Sequence, residues 1–154
     1  MNVKLLVMDV DGTLTDGCIY MSGQGEVMKA FNIKDGYAIK HILPTLSITP
    51  VIITGRKSDI VERRAKELDI LELHQGVSDK VLVLQNVAEK FNVELKDIAY
   101  IGDDLNDLPC IELCGVTACP QDAVEEVKQK VNYICKNNGG QGAVREFIMQ
   151  MEKK

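Results

Sequence analysis

Short hydrophobic runs alternate with amphipathic stretches along the whole of this sequence. The runs are rich in branched apolar residues and predict buried strands, at 4–8, 49–54, 71–73, 98–101, 115–118 and 132–134. Between them, apolar positions at helical spacing and helix start and stop signals predict helices, at about 35–43, 58–68, 79–91, 122–130 and from 143 onwards. Strands that alternate with helices through short connections are typical of an α/β fold. We therefore predict a Rossmann-like, three-layer α/β/α core around a central parallel sheet.

Residues 18–32 interrupt this alternation just after the first strand. Two strand-like segments flank the glycine-containing stretch 22–25, which predicts a β-hairpin. The following segment opens with Asp35-Gly36 and predicts a helix that ends near Leu43. The sequence contains no internal repeat and no interdomain linker. We therefore expect residues 1–154 to form a single domain, with the hairpin as an insertion.

The charge and hydropathy of the chain argue against two classes of binding partner, nucleic acids and membranes. The chain has 18 basic and 23 acidic residues and a net charge of −5, and its basic residues are scattered. A clustered basic face is the usual sign of nucleic-acid binding, so we expect no nucleic-acid partner. No apolar run approaches the roughly 20 residues that span a bilayer, and the start of the chain lacks a signal-peptide pattern. We therefore expect no membrane partner and a cytoplasmic location.

The five cysteines agree with that location. An odd number of cysteines without a secretion signal indicates reduced thiols. Cys110, Cys114 and Cys119 lie close in sequence, but they lack the paired two-residue gaps of a zinc site and no histidine is near them. We expect them to be small buried hydrophobic residues. Structural roles are expected for His41 and His74.

Four polar sites follow predicted strands or begin a predicted helix. They are Asp9 with Asp11 after the first strand, Thr54-Gly55-Arg56 after the second, Lys80 at a helix start, and Asp103 with Asp104 and Asp107 after 98–101. Taken singly, a strand-end turn, a solvated lysine or a helix-capping acid would explain each of them. Because the carboxyl ends of parallel strands meet at one edge of a sheet, we expect the four sites to surround one crevice.

The residue types at these sites indicate a chemistry. Several carboxylates around one crevice suit a hard divalent cation, and oxygen ligands favour Mg²⁺ over zinc. A hydroxyl, glycine-freed amides and a lysine suit phosphate oxygens. One carboxylate can attack phosphorus to form an aspartyl-phosphate. A second carboxylate two residues on can protonate the leaving alkoxide and then activate water.

In these motifs the chain resembles the haloacid dehalogenase superfamily of aspartate-nucleophile phosphohydrolases. The matching motifs are Asp9-x-Asp11-Gly12-Thr13, Thr54-Gly55, Lys80 and Gly102-Asp103-Asp104-x-x-Asp107. The resemblance implies that Asp9 is the nucleophile and that Asp11 is the general acid/base. An aspartate at position 11 fits phosphatases, because hydrolysis of the phospho-enzyme needs a second carboxylate.

The same resemblance implies ligands for the cofactor and the substrate. Asp9, the main-chain carbonyl of Asp11 and Asp103 would bind Mg²⁺, with Asp104 and Asp107 in support. Thr54 and Lys80 would hold the phosphoryl group. We also assign a set of neighbouring residues to substrate binding, namely Thr13, Gly55, Arg56, Asn106 and Arg145.

The spacing of the motifs leaves no room for a separate cap domain. About forty residues separate Asp11 from Thr54, and the hairpin and one helix occupy them. About two dozen residues separate Lys80 from Asp103. We therefore expect a capless enzyme whose site is open in the monomer. Since an open site binds small substrates poorly, either the substrate is a macromolecule or a neighbouring subunit supplies a lid.

Outside the four motifs, the chain resembles the 3-deoxy-D-manno-octulosonate 8-phosphate phosphatases nearly end to end. The similarity lies in the hairpin and in short segments at 16–17, 31–37, 54–56, 75–76 and 139–146. This resemblance implies a homotetramer in which hairpins form an intersubunit barrel and a neighbour helps to cover each site. It also implies a small phosphorylated sugar acid as substrate. Sialic-acid-type 9-phosphate phosphatases share the scaffold, as does a domain attached to some cytidylyltransferases.

Two arginines bear on the choice of substrate. Arg56 favours an octulosonate, because a guanidinium can pair with the sugar-acid carboxylate, although a plain surface charge is the alternative. Arg145 can reach a neighbour's substrate or pair with an acid on its own helix. Two other functions stay open, a protein or nucleotide phosphatase and a non-catalytic module of a sugar-nucleotide enzyme. The full set of catalytic residues argues against a non-catalytic module.

Overall fold

The computed structural model describes residues 2–153, and most of its strands belong to one parallel sheet. In chain order the strands are β1 (Leu5–Met8), β2 (Tyr20–Ser22), β3 (Gly25–Met28), β4 (Thr49–Ile53), β5 (Glu72–His74), β6 (Ile98–Ile101), β7 (Val116–Cys119) and β8 (Tyr133–Ile134). The sheet has six strands in the order β5-β4-β1-β6-β7-β8. The hairpin strands β2 and β3 pair only with each other.

The strand order places β1 at the centre of the functional edge. β1 pairs in parallel with β4 on one side and with β6 on the other, with Met8 opposite Ile52 and Ile101. The chain therefore winds outward from β1 in both directions, which creates a topological switch point at its carboxyl end. Open α/β sheets bind ligands at such a point. The segments that follow β1, β4 and β6 are thus neighbours in space.

Helices cover both faces of the sheet. They are α1 (Ile33–Tyr37), α2 (Asp59–Glu67), α3 (Lys80–Phe91), α4 (Leu108–Ile111), α5 (Glu125–Lys128) and α6 (Ala143–Glu152). Side chains of β1 alternate between two buried clusters: Leu6 and Met8 pack with residues of α2 and α6, whereas Leu5 and Val7 pack with residues of α3 and α4. All four β1 residues are buried, as expected for a strand covered on both faces. The predicted three-layer α/β/α core is confirmed.

The hairpin projects away from this core. Its strands expose most of their side chains, and an isolated bridge between Thr15 and Phe31 closes its base. The hairpin and the α1 region fill the chain between β1 and β4, and no separate lid domain occurs within residues 2–153. The hairpin predicted within residues 18–32 is present.

Several predicted element boundaries were wrong. The helix expected to open at Asp35 begins at Ile33, because the Asn32 side chain caps it by accepting hydrogen bonds from the amides of Lys34 and Asp35 at 2.8 and 3.3 Å. It continues through a π-helical turn and a 3₁₀ turn as far as Leu46. The helix expected at 122–130 is shorter (Glu125–Lys128), and β5, β7 and β8 begin one residue later than predicted. Boundaries depend on local caps that apolar periodicity does not reveal.

The thiols and the helix lengths complete the description. All five cysteines are free; Cys110 and Cys119 are buried and Cys114 is partly buried, which agrees with their expected packing role. Over residues 2–153, no helix combines the length and the apolar character that crossing a membrane requires.

Candidate active site

Asp9 lies at the carboxyl end of β1, directly after Met8. Its amide donates a hydrogen bond to the Ile101 carbonyl at 3.1 Å, which continues the pairing of β1 with β6 by one residue. Its carboxylate is buried and accepts a hydrogen bond from Lys80 Nζ at 2.8 Å. Lys80 is the first residue of α3, whose start is capped by the Asp79 side chain at 3.0 Å from the Leu82 amide. The helix start thus holds the lysine beside the strand end.

Asp107 is the second partner of this lysine. Its Oδ1 accepts from Lys80 Nζ at 2.8 Å and from the Tyr100 hydroxyl at 2.7 Å. Its Oδ2 accepts from the amides of Asp103 and Asp104 at 3.0 and 3.2 Å. Asp107 is fully buried, so these four donors compensate a charge that would otherwise be costly. It therefore shapes the loop after β6 and orients Lys80 at the same time.

Lys80 is held in its charged form by this arrangement. Burial by itself lowers the pKa of Lys80, but the nearby Asp9 and Asp107 carboxylates outweigh it and raise that pKa above its ordinary value. A protonated lysine therefore lies within hydrogen-bond distance of Asp9, where it can neutralise negative charge.

Three carboxylates converge closely enough to share a metal ion. Asp9, Asp103 and Asp107 each offer one oxygen, and these oxygens lie within 4.8 Å of one another. Asp103 also accepts a hydrogen bond from the Thr13 hydroxyl at 3.2 Å. Gly12 has φ +91° and passes so close to the Asp103 carboxylate that a Cβ at this position would collide with it. The loop after β1 is thus packed directly on the loop after β6.

The electrostatics of these carboxylates fit a divalent cation. Burial, followed by the charges of the neighbouring carboxylates, raises the pKa of both Asp9 and Asp103 above the ordinary aspartate value. Asp9 and Asp107 are buried and Asp103 is partly buried, and the raised pKa values indicate that the negative charge of this cluster is not fully compensated. A bound cation would supply the missing positive charge. An all-oxygen donor set suits Mg²⁺. The residues present therefore fit the metal that the sequence predicts.

The segment after β4 lies beside this cluster. Thr54 is buried, and its amide donates to the His74 carbonyl at 2.9 Å. Arg56, two residues further on, is about half exposed, and its guanidinium lies 3.3 Å from Glu26 Oε2 of the hairpin. The Glu26 carboxylate also accepts from the Ser58 hydroxyl at 2.8 Å. The predicted substrate arginine is therefore anchored by a residue of the hairpin.

Asp11 lies at the rim, where its carboxylate pairs with Lys29 of the hairpin. The Lys29 side chain is fully buried and also lies 3.0 Å from Glu26 Oε2. Sequence reasoning assigned no role to Lys29 or to Glu26, because their distance from the motifs along the chain hides these contacts. Tyr100 was also missed, although a hydroxyl in an otherwise apolar strand requires a partner and so carried a signal.

Three other predicted residues lie at the periphery. The Asp104 carboxylate caps the turn 105–107 by accepting from the Leu105 amide at 2.7 Å, and Asp104 is not part of the converging oxygens described above. Asn106 is exposed and lines a cleft together with Lys80. The Arg145 guanidinium lies over the Tyr37 ring, 5.7 Å from its centroid. The metal role of Asp104 and the substrate roles of Asn106 and Arg145 stay predictions.

The glycine-rich tail touches the first motif. The Gly140 amide donates to the Thr13 carbonyl at 3.1 Å. A Cβ at Gly139 would collide with the Gly12 carbonyl, so only glycine permits this approach. The segment before α6 thus supports the loop that carries Asp9 and Asp11.

Comparisons with known proteins agree with this geometry. The family model described as haloacid dehalogenase-like hydrolase matches residues 53–148. The chain belongs to this family. One relative is the 3-deoxy-D-manno-octulosonate 8-phosphate phosphatase of Escherichia coli K12. It is 44% identical to this chain over 145 residues, which are 94% of this chain and 77% of that protein.

Solved structures of such hydrolases superpose over nearly the whole chain. One is the 3-deoxy-D-manno-octulosonate 8-phosphate phosphatase of Moraxella catarrhalis with magnesium, phosphate and KDO, at 41% identity and a TM-score of 0.94, covering 99% of this chain and 87% of that one. Another is the cobalt-bound deoxy-D-mannose-octulosonate 8-phosphate phosphatase of Haemophilus influenzae, at 35% identity and a TM-score of 0.95, covering 99% and 88%.

Proposed function

We propose that this protein is a Mg²⁺-dependent phosphatase that hydrolyses 3-deoxy-D-manno-octulosonate 8-phosphate, a phosphorylated sugar acid. The observation that carries the proposal is the buried cluster of Asp9, Lys80, Asp103 and Asp107 at the carboxyl end of β1. The extent of the similarity to octulosonate 8-phosphate phosphatases supports the substrate, since it covers nearly the whole chain.

The reaction would have two steps, formation of an aspartyl-phosphate and its hydrolysis. In the first, an Asp9 oxygen attacks phosphorus, the bond to the sugar oxygen breaks, and a proton from Asp11 passes to that oxygen. In the second, Asp11 takes a proton from water, whose oxygen attacks the aspartyl-phosphate and releases phosphate and Asp9. Lys80 stays protonated beside Asp9 and neutralises charge on the phosphoryl oxygens. Thr54, which is buried directly after β4, would donate its hydroxyl to the same group.

The metal would be held next to the nucleophile. Asp9 and Asp103 would supply carboxylate oxygens for Mg²⁺, with Asp107 in support through its hold on the loop after β6. When bound, Mg²⁺ supplies positive charge that offsets the carboxylates and the phosphoryl oxygens. The main-chain carbonyl of Asp11 would be a further ligand.

The substrate's carboxylate would pair with Arg56. This guanidinium is half exposed next to the second motif, and its only ion pair among residues 2–153 is a single-oxygen contact with Glu26. The exposed N–H groups of the guanidinium can donate two parallel hydrogen bonds to a second carboxylate. A nonulosonate 9-phosphate carries the same acid on a longer chain, so it is the nearest competing substrate.

The hairpin would complete the site through a homotetramer. Its strands expose Met21, Val27 and Met28 to between 53% and 62%, although apolar side chains of this size gain from burial. A neighbour's hairpin would cover this surface and bring a lid to an otherwise open crevice. We also propose a cytoplasmic location, which the five free thiols support.

Phosphate release from a panel of esters tests the function. With Mg²⁺ present, we expect the highest kcat/KM for octulosonate 8-phosphate, a lower value for nonulosonate 9-phosphates, and loss of activity with a chelator. A preference for a nonulosonate would move the assignment to that substrate class. Slow and equal turnover of every ester would refute a dedicated biosynthetic role.

A matched pair of variants tests the arginine in the same panel. Arg56→Gln should raise KM for octulosonate 8-phosphate but not for glycerol phosphate, which has no carboxylate. Arg63→Gln removes an exposed arginine of α2 and serves as the control, with no change for either ester. An equal rise in KM for both esters would contradict the carboxylate contact.

A further inference from the structure

A buried lysine joins the hairpin to the catalytic loop. Lys29 follows β3, whose own residues are exposed or half exposed, yet its side chain has no exposed surface. A lysine normally keeps its ammonium group in water, and full burial is costly unless the charge is paired. The burial of Lys29 therefore requires specific partners.

Both partners of Lys29 are carboxylates. The ammonium group donates to Asp11 Oδ1, and it lies 3.0 Å from Oε2 of Glu26 in the preceding strand β3. Glu26 is held in turn by the Ser58 hydroxyl at 2.8 Å and by Arg56 at 3.3 Å. A continuous chain of charged contacts thus runs from the Asp11 carboxylate to the segment after β4.

Asp11 has little else to hold its side chain. It lies on the turn after β1 and its side chain is 20% exposed, and the described hydrogen bonds of its carboxylate come from Lys29 alone. Proton transfer requires the carboxylate within about 3 Å of the substrate oxygen. A displacement of about 1 Å costs on the order of 100-fold in rate. The contact with Lys29 is therefore suited to fix the direction in which Asp11 points.

We propose that Lys29 is a positioning residue for Asp11, held in place by Glu26, and that the hairpin thereby helps to build the proton-transfer machinery of its own chain. The proposal rests on the phosphatase function proposed above. It makes the hairpin more than a surface for assembly, because one of its buried side chains orients a catalytic group.

A purely structural role for Lys29 would have a different consequence. If Lys29 only fastened the hairpin to the core, its loss would affect all substrates alike. If Lys29 positions the proton donor, the effect of its removal on kcat/KM depends on the leaving group. An alkoxide must be protonated as it leaves, whereas p-nitrophenolate is stable without a proton. The leaving-group dependence of kcat/KM therefore separates the two roles.

The test compares Lys29→Met with the wild type on two esters, p-nitrophenyl phosphate and the alkyl phosphate that the wild type hydrolyses fastest. Methionine has a similar length and no charge. We expect kcat/KM to fall by about 10- to 100-fold for the alkyl ester and by less than about threefold for the aryl ester, since general acid catalysis is worth 10²–10⁴-fold. Asp11→Asn should show the same selectivity with a larger loss.

Controls keep the outcomes distinct. Lys66→Met, at an exposed lysine of α2, should leave both values unchanged. If Lys29→Met does not fold, Glu26→Gln with Lys29→Met removes both charges of the pair and undergoes the same comparison. An equal loss on both esters, or no loss on either, overturns the proposal while the phosphatase function stands. A wild type that hydrolyses neither ester refutes the proposed function itself.

Discussion

The carboxylate cluster and the hairpin are built on opposite principles. In the cluster, Lys80 and its partners Asp9 and Asp107 expose at most 8% of their side chains, and the lysine pairs with both carboxylates. In the hairpin, Met21, Val27 and Met28 are more than half exposed. The residues of the cluster come from one chain and already contact one another, whereas the hairpin presents a surface with no partner among residues 2–153.

The difference suggests that the cluster supplies the chemistry, whereas the hairpin supplies a surface for recognition. Strand ends fixed by the sheet can hold charges together against their repulsion, because neighbouring strands cannot move apart without breaking the core. A two-stranded hairpin has no such support and is marginal in isolation. It can therefore change without affecting the catalytic charges, except through the two charged residues Glu26 and Lys29 that reach back to the core.

The largest expected effect is at Asp9, the proposed nucleophile. Asp9→Asn should lower phosphate release by at least about 1,000-fold, because the phosphoryl acceptor is lost. The melting temperature should not fall, since the substitution removes one of three converging carboxylates and Lys80 keeps Asp107. Phosphate release and thermal unfolding measure the two quantities. Asp59→Asn, at an exposed residue of α2, is the control, and substantial turnover by Asp9→Asn would exclude it as the nucleophile.

A second prediction concerns the lysine of the cluster. Lys80→Met should lower activity and also destabilise the metal-free protein by about 3 kcal/mol, because two buried carboxylates lose their common partner. Urea unfolding measures the stability. Lys90→Met, on the same helix, removes a lysine that is 62% exposed and paired with Glu72, and it should cost under about 1 kcal/mol. Equal costs at the two positions would contradict the difference in burial.

A third prediction addresses the hairpin alone. Met21→Glu should dissociate the oligomer, because it places a charge on an apolar surface that we expect a neighbour to cover. If the neighbour closes the site, KM should rise about tenfold while the circular dichroism spectrum stays unchanged. Light scattering after gel filtration measures the mass. Leu113→Glu, at a partly exposed leucine outside the hairpin, is the control, and a wild-type monomer would end the tetramer proposal.

The smallest effect on activity is expected at a buried carboxylate outside the cluster. Burial raises the pKa of Asp35 in α1 to about 6, despite hydrogen bonds from backbone amides that lower it. The folded protein thus binds a proton more tightly than the unfolded chain does. Stability should therefore fall as the pH rises from about 4 to about 6, by at most about 3 kcal/mol for this group.

Asp35→Asn should remove this contribution. The difference in unfolding free energy between wild type and variant, measured from pH 4 to pH 7, isolates Asp35 from other groups that titrate in the same window. Asp59→Asn should keep the wild-type dependence. A constant difference across the range would show that Asp35 titrates normally, and activity at neutral pH should change little in either variant.

The fold was predictable because its central strands are apolar along their whole length. β1 and β6 are buried on both faces and read as continuous apolar runs, so the sequence locates them almost to the residue. The start of α1 was misplaced because a single side chain, Asn32, determines it. The acids of the site were predictable because each lies within a few residues of the end of such a strand.

Contacts between distant segments were not predictable. Lys29 and Asp11 are 18 residues apart, and no periodicity relates them. Lys80 and Asp9 are 71 residues apart, and their contact at 2.8 Å likewise has no counterpart in any local pattern. Pairings of this kind depend on how the hairpin and the loops fold back, which local propensity does not encode.

The sequence by itself determined the α/β architecture, the hairpin insertion and the set of acids that meet at one edge of the sheet. The physical reason is that strand periodicity is a local property of the sequence, and general topology rules then fix how parallel strands are arranged in the sheet. Only the tertiary structure decided that Asp107 orients Lys80, and that a buried lysine of the hairpin pairs with Asp11. Burial and charge pairing are properties of the packed chain, and they exist only once distant segments have met.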